Sequence, residues 1–488
     1  MKILFISNIF PPHVRGGYEL GCLELAEKYQ DLGHSVIVAT SENTAQVCRY
    51  PEPKHIDVRK IFNPVRYYED LYDYHFQTNS IYFYDKVMAF GGYVESNCIA
   101  LKRLIELENP DIVWMFNPLG IGPIGIFDTV VSCKVKAVIH LMEHIDGVVQ
   151  DYSRLVNLTG KWQYLKTKIT AISCSEKIYE SNSLLGKYFI NKVVYNWINF
   201  NKFSKKDYFN YSYEDEKVTY IDNREKFRGK NFFRIVYFGQ IAEKKGIFFL
   251  YKLAKFISKS PYQDKIVIEL FGKGETKLMD SLEKQITKDN LSEIFVLKGF
   301  LDKESLLERI SYYDLAIFLL SDDEPFGYAL IEAMLKSVTV MTTSKTGSCE
   351  LFQDKYDAIF IKDRKDIKEV YDKVIWCLEN PSKLEILKSN AIATIKEKCD
   401  LDAVTIPALN EIIEMVPVNS GYSFEHVLSV CETLRYPYFD LNINTNLKGA
   451  RYKFIDKVVN SLYGLPLIGE YLQSWGNNFV QNFRINRL

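Results

Sequence analysis

DLAIFLLSDDEPFGYALIEAM, residues 314–334, changes its period half-way along. After Asp314, its first part, LAIFLL, is an unbroken apolar run of strand length, the pattern of a strand covered on both faces. Its last part sets Ala329, Leu330, Ala333 and Met334 at helical spacing, while Pro325 and Gly327 disfavour helix before them. The stretch reads as strand, loop, helix. Glu324 then lies in the loop at the carboxyl end of a strand and Glu332 in the first turns of a helix. One continuous helix would hold these acids about 12 Å apart. The bend instead lets both face one crevice, where a ligand longer than a monosaccharide, such as a sugar joined to a nucleotide, touches one acid at each end. The plainer alternative makes Glu324 a helix-capping acid and Glu332 a solvated charge.

Outward from this stretch the same alternation recurs in two series. KILFIS (2–7), SVIVAT (35–40), DIVWMF (111–116), AVIHLM (137–142) and ITAIS (169–173) read as buried parallel strands, with a helix in YELGCLELAEKYQDLGH between the first two. A second series starts at FRIVYFG (233–239) and continues with IVIELFG (266–272), IFVLKG (294–299), LAIFLL (315–320) and VTVMTT (338–343). Strands alternating with helices predict an α/β chain of two doubly wound, Rossmann-like domains. We place the first at 1–200, a charged, tyrosine-rich linker at 201–231, the second at 232–400, and a helical extension at 401–488.

Composition narrows the function. A chain of 488 residues is long enough for two globular domains with additions, and a formal charge of −1 gives no global case for nucleic-acid binding. The nine cysteines form no CxxC pair, so they read as buried thiols in a reducing cytoplasm. MKILFISNIFPP is too soon broken by prolines to be a signal peptide, and no apolar run of about 18 residues predicts a spanning helix. The unusual feature is aromatic content, 14% with 33 tyrosines, dense in the segment 67–86.

Two loops carry candidate chemistry. In NIFPPHVRGGYELG the pair Gly16 and Gly17 precedes a helix, where backbone N–H groups suit an anion or diphosphate, although an isolated glycine pair also makes a plain tight turn. The spacing fails GxGxxG, so no dinucleotide cofactor is expected. In FRIVYFGQIAEKKGIFFL the loop after the strand holds Gln240, Lys244 and Lys245, placing a cation beside a helix start.

The ordered series RGGYE, YFGQIAEKKG, LFGKGE, VLKGF, EPFGYALIE and TGSCE resembles the retaining glycosyltransferases of family 4, whose signature is two glutamates separated by seven residues. The resemblance covers roughly residues 1–400 and implies a GT-B fold: two Rossmann-like domains facing a cleft, with a C-terminal extension here. It implies transfer of a sugar from a nucleoside diphosphate sugar with retained anomeric configuration. Glu332 would bind the ribose, and a carboxylate can accept from two hydroxyls at once. Glu324, with the backbone of Pro325, Phe326 and Gly327, would hold the donor sugar. Gly17 would approach the diphosphate, Lys245 would balance leaving-group charge, and the backbone through Lys298 would read the base.

The segment EHIDG (143–147) resembles the place where such enzymes carry a His-Asp pair, which points to His144 first and Asp146 second. Where the family usually has Arg, this chain has Gln240, and a neutral amide cannot replace a guanidinium. No Asp-x-Asp stands at a strand end, so metal-independent transfer with no cofactor is expected. The partners implied are the donor and a saccharide or lipid-linked acceptor, with no nucleic acid. The tail 449–488 mixes bulky apolar residues with Arg451, Lys453, Lys457, Arg484 and Arg487 against Asp456 and Glu470. Both peripheral contact with the inner face of an anionic membrane and docking on the first domain fit it. Two other functions remain open at this point: a nucleotide-sugar epimerase of similar plan, and a catalytically weak nucleotide-sugar-binding subunit, which Gln240 favours.

Overall fold

A computed structural model describes residues 1–14, 16–41, 48–64, 93–143, 169–181, 189–203, 232–320, 324–419 and 423–431. The first sheet contains β1 (Lys2–Ser7), β2 (Ser35–Ser41), β3 (Asp57–Phe62), β4 (Ile112–Asn117), β5 (Lys136–Leu141), β6 (Ile169–Ser173) and β7 (Phe189–Val193). Their spatial order is β3-β2-β1-β4-β5-β6-β7, every neighbour parallel. The second sheet contains β8 (Phe233–Phe238), β9 (Ile266–Phe271), β10 (Phe295–Gly299), β11 (Leu315–Phe318), β12 (Thr339–Thr343) and β13 (Ile359–Ile361). It repeats the same winding, β10-β9-β8-β11-β12-β13, again parallel throughout.

Parallel strands need crossovers, and helices fill them. On the first sheet these are α1 (Gly17–Asp31), α2 (Glu95–Glu108), α3 (Pro123–Ser132) and α4 (Glu176–Ser181). On the second they are α5 (Ile247–Ile257), α6 (Thr276–Lys288), α7 (Lys303–Ile310) and α8 (Tyr328–Leu335), while α9 (Ile367–Glu379) and α10 (Pro381–Cys399) follow the last strand. The apolar spacing of α5 shows why it forms here: Ile247, Leu250, Leu253, Ala254 and Ile257 make one buried face.

The order of strands places a switch point beside β1 in the first sheet and beside β8 in the second. Ligands of open α/β sheets bind beyond the strand carboxyl ends at such points. The two ends meet here: a Cβ on Gly17 would lie 3.8 Å from Tyr328 Cε2, at the start of α8.

The first core is aromatic. Phe5 stacks on Trp114 at 5.5 Å, and His140 lies nearly flat against Phe116 at 4.9 Å, with the edge of Trp197 5.5 Å away. Eight cysteines are free thiols among the described residues, buried except for Cys133.

After α10 the chain returns to the first sheet. The Ile198 N–H donates to Cys399 O at 2.7 Å and the Leu401 N–H to Ile198 O at 3.0 Å. Asp400 caps a five-residue π turn, Leu401–Thr405, by accepting from the N–H groups of Asp402 and Ala403. The next helix, α11 (Ile406–Met415), presents Asn410 to the Tyr29 hydroxyl at 3.0 Å. Lys28 pairs with Asp402 at 2.6 Å, and Asn419 donates to Val135 O at 3.0 Å. Residues 424–431 are helical, with the Phe424 ring below Lys102 of α2. The described part of the extension is thus packed on first-sheet elements. The aromatic segment 67–86, most of the linker and the basic tail 449–488 lie outside the described residues.

Candidate functional site

The loop after β11 is strapped to a neighbouring loop by backbone. The Glu324 N–H donates to Lys345 O at 2.8 Å, the Gly347 N–H to Glu324 O at 2.9 Å, and the Ser348 N–H to Phe326 O at 2.9 Å. The TGSCE stretch is therefore the second edge of the EPFG loop. Gly327, at φ +83°, ends the loop and starts α8; a Cβ there would press to 2.6 Å from the Thr346 side chain. Only a residue free of a side chain fits both demands.

This scaffold separates the two carboxylates as the change of period predicts. Glu324 sits in the loop, and its Oε2 accepts from Lys245 Nζ at 2.5 Å, the two side chains 32% and 23% exposed. Glu332 is on α8 and buried, 8% exposed, so it is no solvated surface charge. Its carboxylate is held by Lys303, the first residue of α7. Each acid of the motif thus has its own lysine.

The loop after β8 brings Lys245 to this place through a single 3-10 turn, Glu243–Lys245. Gln240 and Lys244 are exposed in the same loop, and the Gln240 carbonyl accepts from the Tyr237 hydroxyl at 2.7 Å. Burial, then the charge of Glu324, raises the Tyr237 pKa above its ordinary value, so the phenol stays protonated beside the carboxylate. Lys298 is placed differently from the loop lysines. Its ammonium is 2.9 Å from Glu269, both side chains almost fully buried, and the Tyr313 hydroxyl donates to the other oxygen of Glu269 at 2.5 Å. That ammonium is committed to the domain interior, and Lys298 can offer a base only its backbone.

Across the cleft, Gly16 and Gly17 open α1. The Gly16 N–H donates to the Glu19 carboxylate at 2.8 Å, a capping arrangement, so this donor is already occupied by an acid of its own helix. Tyr18 is buried, and its hydroxyl accepts from the Met142 N–H at 2.8 Å, tying α1 to the end of β5. Glu143, the next residue, is exposed. His144 and Asp146, the candidates that follow it, lie outside the described residues.

Lys303, Tyr237 and Thr346 escape sequence reasoning. Lys303 resembles any first-turn lysine, and only its distance from α8 in space reveals it. Tyr237 occupies an inward position of a strand, where an aromatic reads as core. Thr346 could have been found, since it opens the TGSCE motif, but a threonine carries no charge to mark its use.

Residues 221–394 match the family of glycosyl transferases group 1. That match, with the relatives below, supports a glycosyltransferase. Beyond it, the chain is 28% identical over 166 residues to the 2-deoxystreptamine N-acetyl-D-glucosaminyltransferase of Niallia circulans, covering 34% of this chain and 41% of that relative's length. It is 24% identical over 441 residues to an uncharacterized glycosyltransferase of Methanocaldococcus jannaschii, covering 84% of this chain and 97% of the relative. Among solved structures, HepE of Anabaena in complex with UDP aligns with a TM-score of 0.58 at 19% identity, over 85% of this chain and 100% of that one. Sucrose-phosphate synthase of Thermosynechococcus elongatus aligns with a TM-score of 0.56 at 14% identity, over 85% and 98%. These two show the fold: it is GT-B. The family match favours glycosyl transfer over epimerisation.

Proposed function

We propose that the protein transfers a hexosyl group from a nucleoside diphosphate sugar to an acceptor hydroxyl with retention at the anomeric carbon. The observation that carries this reading is the pair of acids, Glu324 and Glu332, each held by a lysine at the mouth of the group 1 domain. Tyr328, at the start of the helix that carries Glu332, lies beside Gly17 at the glycine-opened start of a first-domain helix. Glu332 takes the ribose and the backbone through Lys298 faces the base. Gly17 lies along the diphosphate. Glu324 and the backbone of Pro325, Phe326 and Gly327 hold the sugar.

The acceptor oxygen bonds to the anomeric carbon on the face from which the diphosphate departs. The electron pair of the breaking C–O bond goes to the leaving phosphate oxygen, and the acceptor's proton follows it. Lys245 meets the growing negative charge as a preorganised cation, the role that makes a metal unnecessary. His144 and Asp146 remain candidates on the first-domain side. A uridine nucleotide is the first donor to try, because HepE is described with UDP and UDP-glucose.

The acceptor we propose is a saccharide or a lipid-linked saccharide, in cell-surface polysaccharide or glycolipid synthesis. Among the described residues no helix is long and apolar enough to cross a membrane. The basic, apolar composition of residues 449–488 supports a cytoplasmic protein touching the inner membrane face through that tail.

Glu332→Gln tests the ribose contact. An amide keeps one acceptor oxygen and loses the charge, so affinity for UDP-glucose should fall about 10- to 100-fold, the worth of a hydrogen bond to a charged group. The same variant should discriminate less against 2′-deoxy or 3′-deoxy nucleotides in calorimetric titration. Unchanged affinity and unchanged discrimination would remove Glu332 from the ribose site.

A further inference from the structure

The end of TGSCE, which the donor site does not use, is engaged with the other domain. Glu350 belongs to the second domain, yet its carboxylate accepts from two first-domain backbone donors: the Glu176 N–H at 2.8 Å and the Lys177 N–H at 2.7 Å. The charge of Glu350 helps, after burial, to raise the pKa of the first-domain Tyr195 hydroxyl. Lys177 Nζ reaches Ser344 O at 3.3 Å.

One residue earlier, Ser175 does the converse. Its hydroxyl, fully buried, donates to the carbonyl of Pro325 at 2.8 Å while accepting from the Ile178 N–H at 3.2 Å. The approach leaves no spare room. A Cβ on Gly347 would lie 2.1 Å from Pro325 O and 2.5 Å from Ser175 Oγ. Pro325 stands between Glu324 and Phe326 in the loop assigned to the donor sugar, and its carbonyl has taken its bond from the opposite domain.

We propose that Ser175 and Glu350 are positioning residues: a latch between the domains that sets the EPFG loop, so that the sugar half of the donor is held productively only while the domains are joined there. This inference rests on the donor-site reading above and adds to it two residues, one on each side of the cleft. Neither touches substrate. Their effect passes through the Pro325 carbonyl and through the seating of α4 against the second domain. The nucleotide half of the donor, gripped by Glu332 and strand β10 within the second domain, does not depend on the latch.

The test compares UDP with UDP-glucose on the full-length protein, by titration calorimetry for binding and by release of UDP for turnover, with thermal melting as a control. Ser175→Ala and Glu350→Ala should each lower kcat about tenfold, the equivalent of one lost hydrogen bond to a constrained or charged group. UDP affinity should stay within about twofold, since none of its contacts has changed. Glu350→Gln, which keeps an acceptor oxygen for the α4 amides, should recover to within about threefold of wild type. Turnover at the wild-type level in both alanine variants would overturn the latch. So would a parallel loss of UDP affinity and melting temperature, which marks residues that merely support the fold. Wild-type protein that binds UDP-glucose and turns it over leaves the donor reading intact in either case; wild-type protein that binds no nucleoside diphosphate sugar would overturn both.

Discussion

Replacing Lys245 by alanine should lower kcat for donor turnover by about 10²- to 10³-fold, the loss typical of removing one preorganised group that faces charge developing in the transition state. The fold should hardly notice. The Lys245–Glu324 pair is partly solvent-exposed, and exposed ion pairs contribute only about 0–1 kcal/mol to stability. Kinetics and melting therefore separate cleanly in this variant. Lys245→Arg keeps the charge but spreads it over a planar fork and should recover part of the rate. The measurement is UDP release from UDP-glucose, with melting temperature recorded alongside. If Lys245→Ala turns over at the wild-type rate, Lys245 does not meet the leaving group, and Lys244 or a helix N-terminus must do so instead.

The second large effect concerns the first core. His140 is fully buried on β5, and neither ring nitrogen has a hydrogen-bond partner among the described residues. Burial lowers its pKa to about 3. In the unfolded chain the same group takes a proton near its ordinary value of about 6.5. The sign follows directly: above that value the group is neutral in both states, and below it the unfolded state binds a proton that the folded state refuses. Stability is then lost as pH falls from about 6.5 toward 3, at about 1.4 kcal/mol per unit and about 5 kcal/mol over the whole interval. That is comparable with the entire stability of many domains, about 5–15 kcal/mol.

His140→Leu removes the titrating group and two unpaired polar atoms from an aromatic stack. Urea denaturation at about pH 7 and about pH 4.5 should show wild type losing about 2–3 kcal/mol more than the variant over that span. Parallel losses in the two proteins would mean that the imidazole finds a partner or water in solution.

The central strands were legible because their apolar runs are continuous. The three strands of the two parallel sheets that sequence reasoning missed, β3, β7 and β13, all lie at sheet edges. DVRKIF and FINKV mix charge with apolar residues because one side of an edge strand needs no neighbour, and IFI is too short to stand out. At the site, Glu324 and Glu332 were readable because proline, glycine and a change of period locate them within a dozen residues of chain. Their lysines were less so. Lys245 came through its motif, whereas Lys303 meets Glu332 only after α7 and α8 pack together. The latch was hidden for the same reason, since Ser175 and Pro325 are 150 residues apart in sequence. Gly16 shows the opposite error of scale: the glycine pair predicts an open anion seat, but Glu19, three residues on, already closes part of it.

The return of the chain after α10 limits how the molecule can move. Ile198, ahead of the linker, is hydrogen-bonded to Cys399 and Leu401, so the returning chain is fastened to the first domain a few residues before that domain's chain enters the linker. A cut in the outward segment would leave the halves tethered by the return. For as long as those two bonds hold, the return passage stays with the first domain.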